Sequence, residues 1–178
     1  MKRILLALTL ALLPTAALPQ SGGIDFDNSV TVTPTVQAAS YSATNSFGGL
    51  QTINIFRSDT QAGAFLTEFW IASQGGNTGA MTLYVFDTAP SSATVCTDKT
   101  ALTLAAADVP KLAVAPFVLT PAVPEGSTAS IADVAIAKSI RNHDAPPTQK
   151  LYVCIVANAT ISPGTTTDIV FKIALRGN

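Results

Sequence analysis

The sequence predicts an all-β protein: an antiparallel β-sandwich or jelly roll with at most one short helix and an extended N-terminal segment. Three observations lead there. Short apolar runs recur along the chain and no helical period persists. Gly, Pro, Ser, Thr and Asn divide those runs, with 11 Gly and 11 Pro in 178 residues. Roughly seven to nine strands result, without the strand–helix alternation of a parallel sheet. The hydrophobic fraction of 48% and charged fraction of 12% exclude a disordered charged tail. The length allows one domain able to bury a core without a metal. A net charge of −1 gives no electrostatic pull toward nucleic acid.

Three segments follow from composition: 1–17 hydrophobic and signal-like, 18–36 an extended arm, and 37–178 the sandwich. Lys2 and Arg3 precede an apolar run from Ile4 to Leu13, then Pro14 and the small residues Thr15-Ala16-Ala17. That is the order of a secretory signal cut after Ala17. The run is too short to span a bilayer, which takes about 20 apolar residues. A retained arm that docks into an assembly is the other reading. Cleavage leaves 8 basic and 11 acidic residues, a net charge of −3.

Along the chain, Ser29–Gln37 alternates Val30, Val32, Pro34 and Val36 with threonines. This predicts a strand kept at an edge, or broken, by Pro34. Tyr41–Asn45 is a short strand ending at the Gly48-Gly49 turn, and Leu50–Phe56 is a strand with Ile53 and Ile55 on one face. Phe65–Ser73 carries the aromatic and β-branched residues that suit a pleated surface. Gln74–Gly79 is a loop, and its glycines predict a hairpin with the next strand. That strand, Ala80–Phe86, is apolar on both faces and reads as interior. Asp87–Lys99 reads as a loop. Thr103–Leu112 holds the one helical segment, capped by Thr103 and limited by Pro110. Ala113–Thr120 is a strand interrupted by Pro116, and Ser127–Ile140 has an ambiguous period. Leu151–Ala157 and Ile169–Leu175 are the strongest strands, separated by the Ser162-Pro163-Gly164 turn.

Chemistry-bearing patterns are sparse. Cys96 and Cys154 form an even pair, so a disulfide is allowed in an exported chain. Closing that loop is worth about 4 kcal/mol in the chain-entropy model. Two separate thiols are the alternative, with Cys154 inert inside its apolar run. His143, the one histidine, lies beside Asp144 without a nucleophile elbow. Asp25 and Asp27 alternate as calcium ligands do but lack the rest of a calcium loop. Glu68 has no nominated second acid for glycosidase work. Its alternation with aromatics predicts a strand face that meets solvent or a neighbouring subunit. The Gly75–Gly79 loop lacks the lysine and helix of a phosphate cradle. Lys138, Arg141, His143 and Lys150 are basic without interleaved aromatics, so nucleic-acid stacking is not expected. No cofactor or metal is expected. Asn158-Ala159-Thr160 matches a glycosylation acceptor, a motif frequent by chance.

Several segments in order are similar to small tailed-phage virion structural proteins. These are Tyr41–Gly49, Leu83–Pro90 with its Phe-Asp-x-x-Pro element, the Ala107-Asp108 step before Lys111-Leu112, and Leu151–Ala157 followed by Asp168–Leu175. The match spans roughly residues 36–176. It implies a non-enzymatic capsid decoration or head-fibre component in the virion, bound to capsid or other virion proteins. It also implies a homo-oligomer, a trimer where it caps a three-fold axis. Val30, Val32 and Val36 are then the assembly strand that adds to a neighbouring chain. The signal-like start and the cysteine pair depart from that pattern. They fit an exported bacterial surface or adhesion protein, cleaved near Ala17 and closed by a Cys96–Cys154 bond. A hydrolase with a cleft at Glu68 or His143 is the remaining reading.

Overall fold

The structure, a computed structural model, describes residues 27–54, 63–141 and 150–177. Eight strands run through them: β1 (Asp27–Val32), β2 (Ser46–Asn54), β3 (Gly63–Ser73), β4 (Met81–Phe86), β5 (Phe117–Leu119), β6 (Ser130–Arg141), β7 (Lys150–Ala157) and β8 (Ile169–Gly177). They form two four-stranded sheets, ordered β1-β8-β3-β6 and β2-β7-β4-β5. Each neighbouring pair is antiparallel. This interleaved connectivity is that of the eight-stranded jelly roll, so the all-β sandwich read from the sequence is the fold.

The core lies between the sheets. Phe69 on β3 stacks on Phe171 of β8 at 5.4 Å and meets Phe117 of β5, across the sandwich, edge-on at 5.8 Å. Such pairs add to the burial of the rings themselves. Leu66 and Phe69 both point into this core although they are three positions apart, an odd spacing. A bulge between Leu66 and Glu68 re-phases the strand. The Thr67 hydroxyl secures it by donating to the Ala174 carbonyl at 3.1 Å. The bulge therefore sets Glu68 and Trp70 on the outer face.

Several expectations change. Phe65–Ser73 and Ala80–Phe86 do not make a hairpin: β3 and β4 lie in different sheets. Glycine-rich chemistry reverses a chain equally well within a sheet or across a sandwich. β4 is interior as expected, between β7 and β5. The arm boundary at 36/37 also moves. β1 pairs with β8 from Asp27↔Arg176 to Val32↔Phe171, and Val36 is 1% exposed. Beyond β1 the Val36 amide donates to the Thr166 carbonyl at 3.0 Å. Residues 27–36 are thus part of the sandwich. The second strand begins at Ser46 rather than Leu50, because Gly48 and Gly49 lie within it as an irregular stretch with φ of 63° and 74°.

The expected helical segment is a 3-10 turn, Ala106–Lys111, capped at Ala105 without a side-chain hydrogen bond rather than at Thr103. A second 3-10 turn, Ala93–Cys96, lies where a loop was expected; the Ser92 hydroxyl accepts from the Thr94 amide there. Of the ambiguous 127–140 segment, Ser130 onward forms one long strand, β6. Ala132, Val134 and Ile136 pack on the core, while Ile131 faces outward and blurs the period.

Candidate functional site

One side of the molecule is closed by a staple. Cys96, on the 3-10 turn, is bonded to Cys154 in the middle of β7. Val153 and Ile155 point into the main core, whereas Cys154 points to the other face of its sheet. There it joins Phe86, Val95, Cys96 and Val156 in a second core, with Leu102, Leu104 and Leu112 packed over it. Residues 95–112 thereby cover the middle of the outer face of β2-β7-β4-β5, while Thr52 and Asn54 of β2 and Val118 of β5 stay exposed at its flanks. This is why Leu151–Ala157 is apolar at nearly every position: β7 is buried on both sides.

Buried polar groups tie the loops together. The Tyr41 hydroxyl donates to Asp98 Oδ1 at 2.7 Å and accepts the Gln37 amide at 2.7 Å. The same Oδ1 accepts the Gly48 amide at 2.6 Å. Burial, and next the bond to Asp98, holds the Tyr41 phenol well above its usual range. Asp168, also buried, accepts from Ser73 Oγ at 3.2 Å, Asn77 Nδ2 at 3.0 Å, the Gly164 amide at 3.3 Å and the Gly75 amide. Asp108 accepts the Ser91 amide at 2.7 Å, the Ser91 hydroxyl at 2.9 Å and the Lys111 ammonium at 3.0 Å. The Ser91 amide first, and then Lys111, holds its carboxyl below the usual carboxylate range, against the opposing effect of burial. The partners of these carboxylates bind loop to loop, which is structural work.

The outer face of β1-β8-β3-β6 is different. Glu68 and Trp70 on β3, Val170 and Lys172 on β8 and Thr31 on β1 line an open concavity of about 370 Å³. In register, Lys172 stands between Thr31 and Trp70, and Asp133 follows on β6. Trp70 is partly buried, while Glu68, Lys172 and Thr31 are exposed. β3 and β8 are inner strands of the sheet, so these side chains stand on rigid backbone.

The structure brings Cys96 and Cys154 together. Val30 and Val32, half-buried, pack against the chain's own core, and Val36 lies within it. What β1 offers a neighbour is its backbone: among the described residues no strand pairs with its second edge. Glu68 faces outward as its alternation predicts. His143 and Asp25 lie outside the described residues, as do the signal-like segment and residues 18–26. Sequence reasoning missed the Trp70–Lys172 juxtaposition, because 101 positions separate the two. The available signal was local: Glu68 and Trp70, two apart on a strand, share a face. Compared with family models and with curated proteins, the chain matches none, so the likeness to virion proteins rests on the motifs alone.

Proposed function

We propose that this is an exported, non-enzymatic β-sandwich protein that works at a surface by binding. The observation that carries the reading is the Cys96–Cys154 bond at the heart of the second core. Disulfides persist in secreted and surface proteins and are kept reduced in the cytosol. The signal-like order of residues 1–17 agrees with it. Residues 95–112 cover the middle of one sheet, and the other sheet's outer face, uncovered and holding the concavity at Trp70, is the binding side of this reading.

The test is the intact mass of the native protein, taken from its source without reductant. The expected result is a chain starting near Leu18 and two hydrogens lighter than its reduced form. A chain of all 178 residues with free thiols overturns the reading.

A second reading, a decoration or head-fibre component of a virion shell, is favoured by the jelly-roll connectivity, which also builds viral capsids. Fold does not fix function, so it stands second. It expects the full-length, thiol-bearing chain to co-sediment with particles through the free edge of β1. Its absence from purified particles would overturn it.

A further inference from the structure

We propose that the concavity over Trp70 on the open sheet face binds a pyranose ring of a neutral glycan. This deepens the reading of a surface binding protein, because it names the ligand of the binding side.

The first argument is placement. Trp70 is the single tryptophan of the chain, and it stands on the outer face of the sheet. Its neighbours on that face along and across the strands are Glu68, Lys172, Asp133 and small residues such as Ala135 and Ala174. The main core is filled by Phe69, Phe171 and Phe117 and does not call on it. A large aromatic ring only partly covered by its own chain keeps apolar surface for a ligand.

The second argument is the set of polar groups beside the ring. Lys172 donates only, Glu68 as a carboxylate accepts only, and the Thr31 hydroxyl does both. A ligand suited to all three needs donors and acceptors around one rigid body that also has an apolar face. A pyranose ring has this: each hydroxyl both donates and accepts, and its axial C–H bonds form the apolar face. A nucleotide's base also stacks, but its phosphate, although drawn to Lys172, meets the Glu68 carboxylate and a chain whose net charge is −1. A zwitterionic peptide satisfies the two charges but leaves the indole to whatever side chain it brings. The concavity, at about 370 Å³, lies within the usual range for small-ligand sites, roughly 300–1,000 Å³.

The site is open, so a single ring is held weakly, with a Kd on the order of 1 mM. Many copies on one surface would convert this into useful avidity.

The lone tryptophan makes the test direct, because emission excited at the red edge, where the three tyrosines barely absorb, reports this site alone. The full disulfide-bonded chain is titrated with cellohexaose, maltohexaose and chitohexaose. A saturable emission change with at least one of them is expected. By calorimetry, Trp70→Ala should weaken that binding at least about tenfold, and Trp70→Phe by no more than about threefold, since the aromatic face remains. Lys172→Gln and Glu68→Gln should each weaken it about three- to tenfold through a lost charged hydrogen bond. Both are exposed, so they carry the test if Trp70→Ala does not fold. No saturable change with any of the three sugars up to about 10 mM overturns the proposal. So does undiminished binding by Trp70→Ala or by both charge variants. A response to diglycine or an oligothymidylate in place of the sugars replaces the ligand class. Chain mass and thiol state are read separately, so failure here is distinguishable from failure of the exported reading.

Discussion

Cys154 occupies the face of β7 that looks away from Val153 and Ile155, and from there it holds Cys96 of the 93–96 turn. The bond does two things at once. It closes a loop between positions 58 apart, and it pins residues 95–112 over the second core. Removing such a bond typically costs about 2–5 kcal/mol. Reductant should therefore lower the denaturant midpoint of the wild-type chain, and a Cys96→Ala/Cys154→Ala variant should start from the lowered value and ignore reductant. Amide exchange should rise first in residues 95–112. A wild-type midpoint indifferent to reductant would mean that the bond does not contribute.

A second prediction concerns the phenol of Tyr41, which links the Gln37 amide to Asp98 while its ring lies 4.5 Å from that of Phe47. Tyr41→Phe keeps the ring but leaves the Gln37 amide and one Asp98 site without the hydroxyl. The expected loss is about 1–3 kcal/mol in urea unfolding. The raised pKa adds a pH dependence. The folded state holds the proton more tightly than the unfolded chain, whose phenol titrates near 10.0. Stability from this group is thus complete below pH 10.0 and falls as pH rises beyond it. Wild type should lose stability above that pH more steeply than Tyr41→Phe. Parallel alkaline limbs would refute the assignment.

Much of the architecture was legible because strand character is local. Leu151–Ala157 and Ile169–Leu175 declared themselves by apolar density, and Ala80–Phe86 by being apolar on both faces, which the second core explains. Destination was not legible. The glycines at 75, 76 and 79 encode a reversal, and only the completed sandwich decides that β4 joins β7 rather than β3. The covering segment hid for a related reason. Val95, Leu102, Leu104 and Leu112 are spaced without a period, since they follow the surface of a sheet rather than an axis of their own. Val36 misled through its neighbours, because its alternation with threonines continues past the end of β1 at Val32. The ligand-facing set was half visible: Glu68 and Trp70 share a strand, whereas Thr31 and Lys172 reach them only through the β1-β8-β3 pairing.

The third prediction is an acid limb that belongs to Asp108. The Ser91 amide and the Lys111 ammonium favour its charged form, so the folded chain binds this proton less readily than the unfolded chain, whose carboxyl titrates near 3.8. Its contribution is therefore present above pH 3.8 and is lost as pH falls through the depressed folded value. Asp108→Asn should be less stable than wild type at neutral pH, and its stability should change less on acidification below about pH 4. A variant whose acid limb superimposes on that of wild type would assign the limb to other carboxylates.

The last prediction concerns Asp168, which gathers one end of the sandwich. Its carboxylate takes the Ser73 hydroxyl at the end of β3, the Gly75 amide and Asn77 Nδ2 in the crossing loop, and the Gly164 amide before β8. Asn77 extends the set, accepting the Ser162 amide at its side chain and the Ser130 hydroxyl at its carbonyl. Asp168→Ala strands the buried Ser73 hydroxyl together with the part-buried Gly75, Asn77 and Gly164 donors, and each donor left unsatisfied away from water costs about 1–3 kcal/mol. The expected loss is at least about 3 kcal/mol, enough to threaten folding of a domain whose total stability is about 5–15 kcal/mol. Asp168→Asn keeps one oxygen but turns an amide toward donors, so it should fall between the two. Ser73→Ala removes one donor and should cost least, about 1 kcal/mol. Urea midpoints in the order wild type, Ser73→Ala, Asp168→Asn, Asp168→Ala would establish the carboxylate as the hub. An Asp168→Ala chain as stable as wild type would show that the loops at this end are held by their backbone bonds alone, such as Gln74 to the Asp168 carbonyl at 2.9 Å.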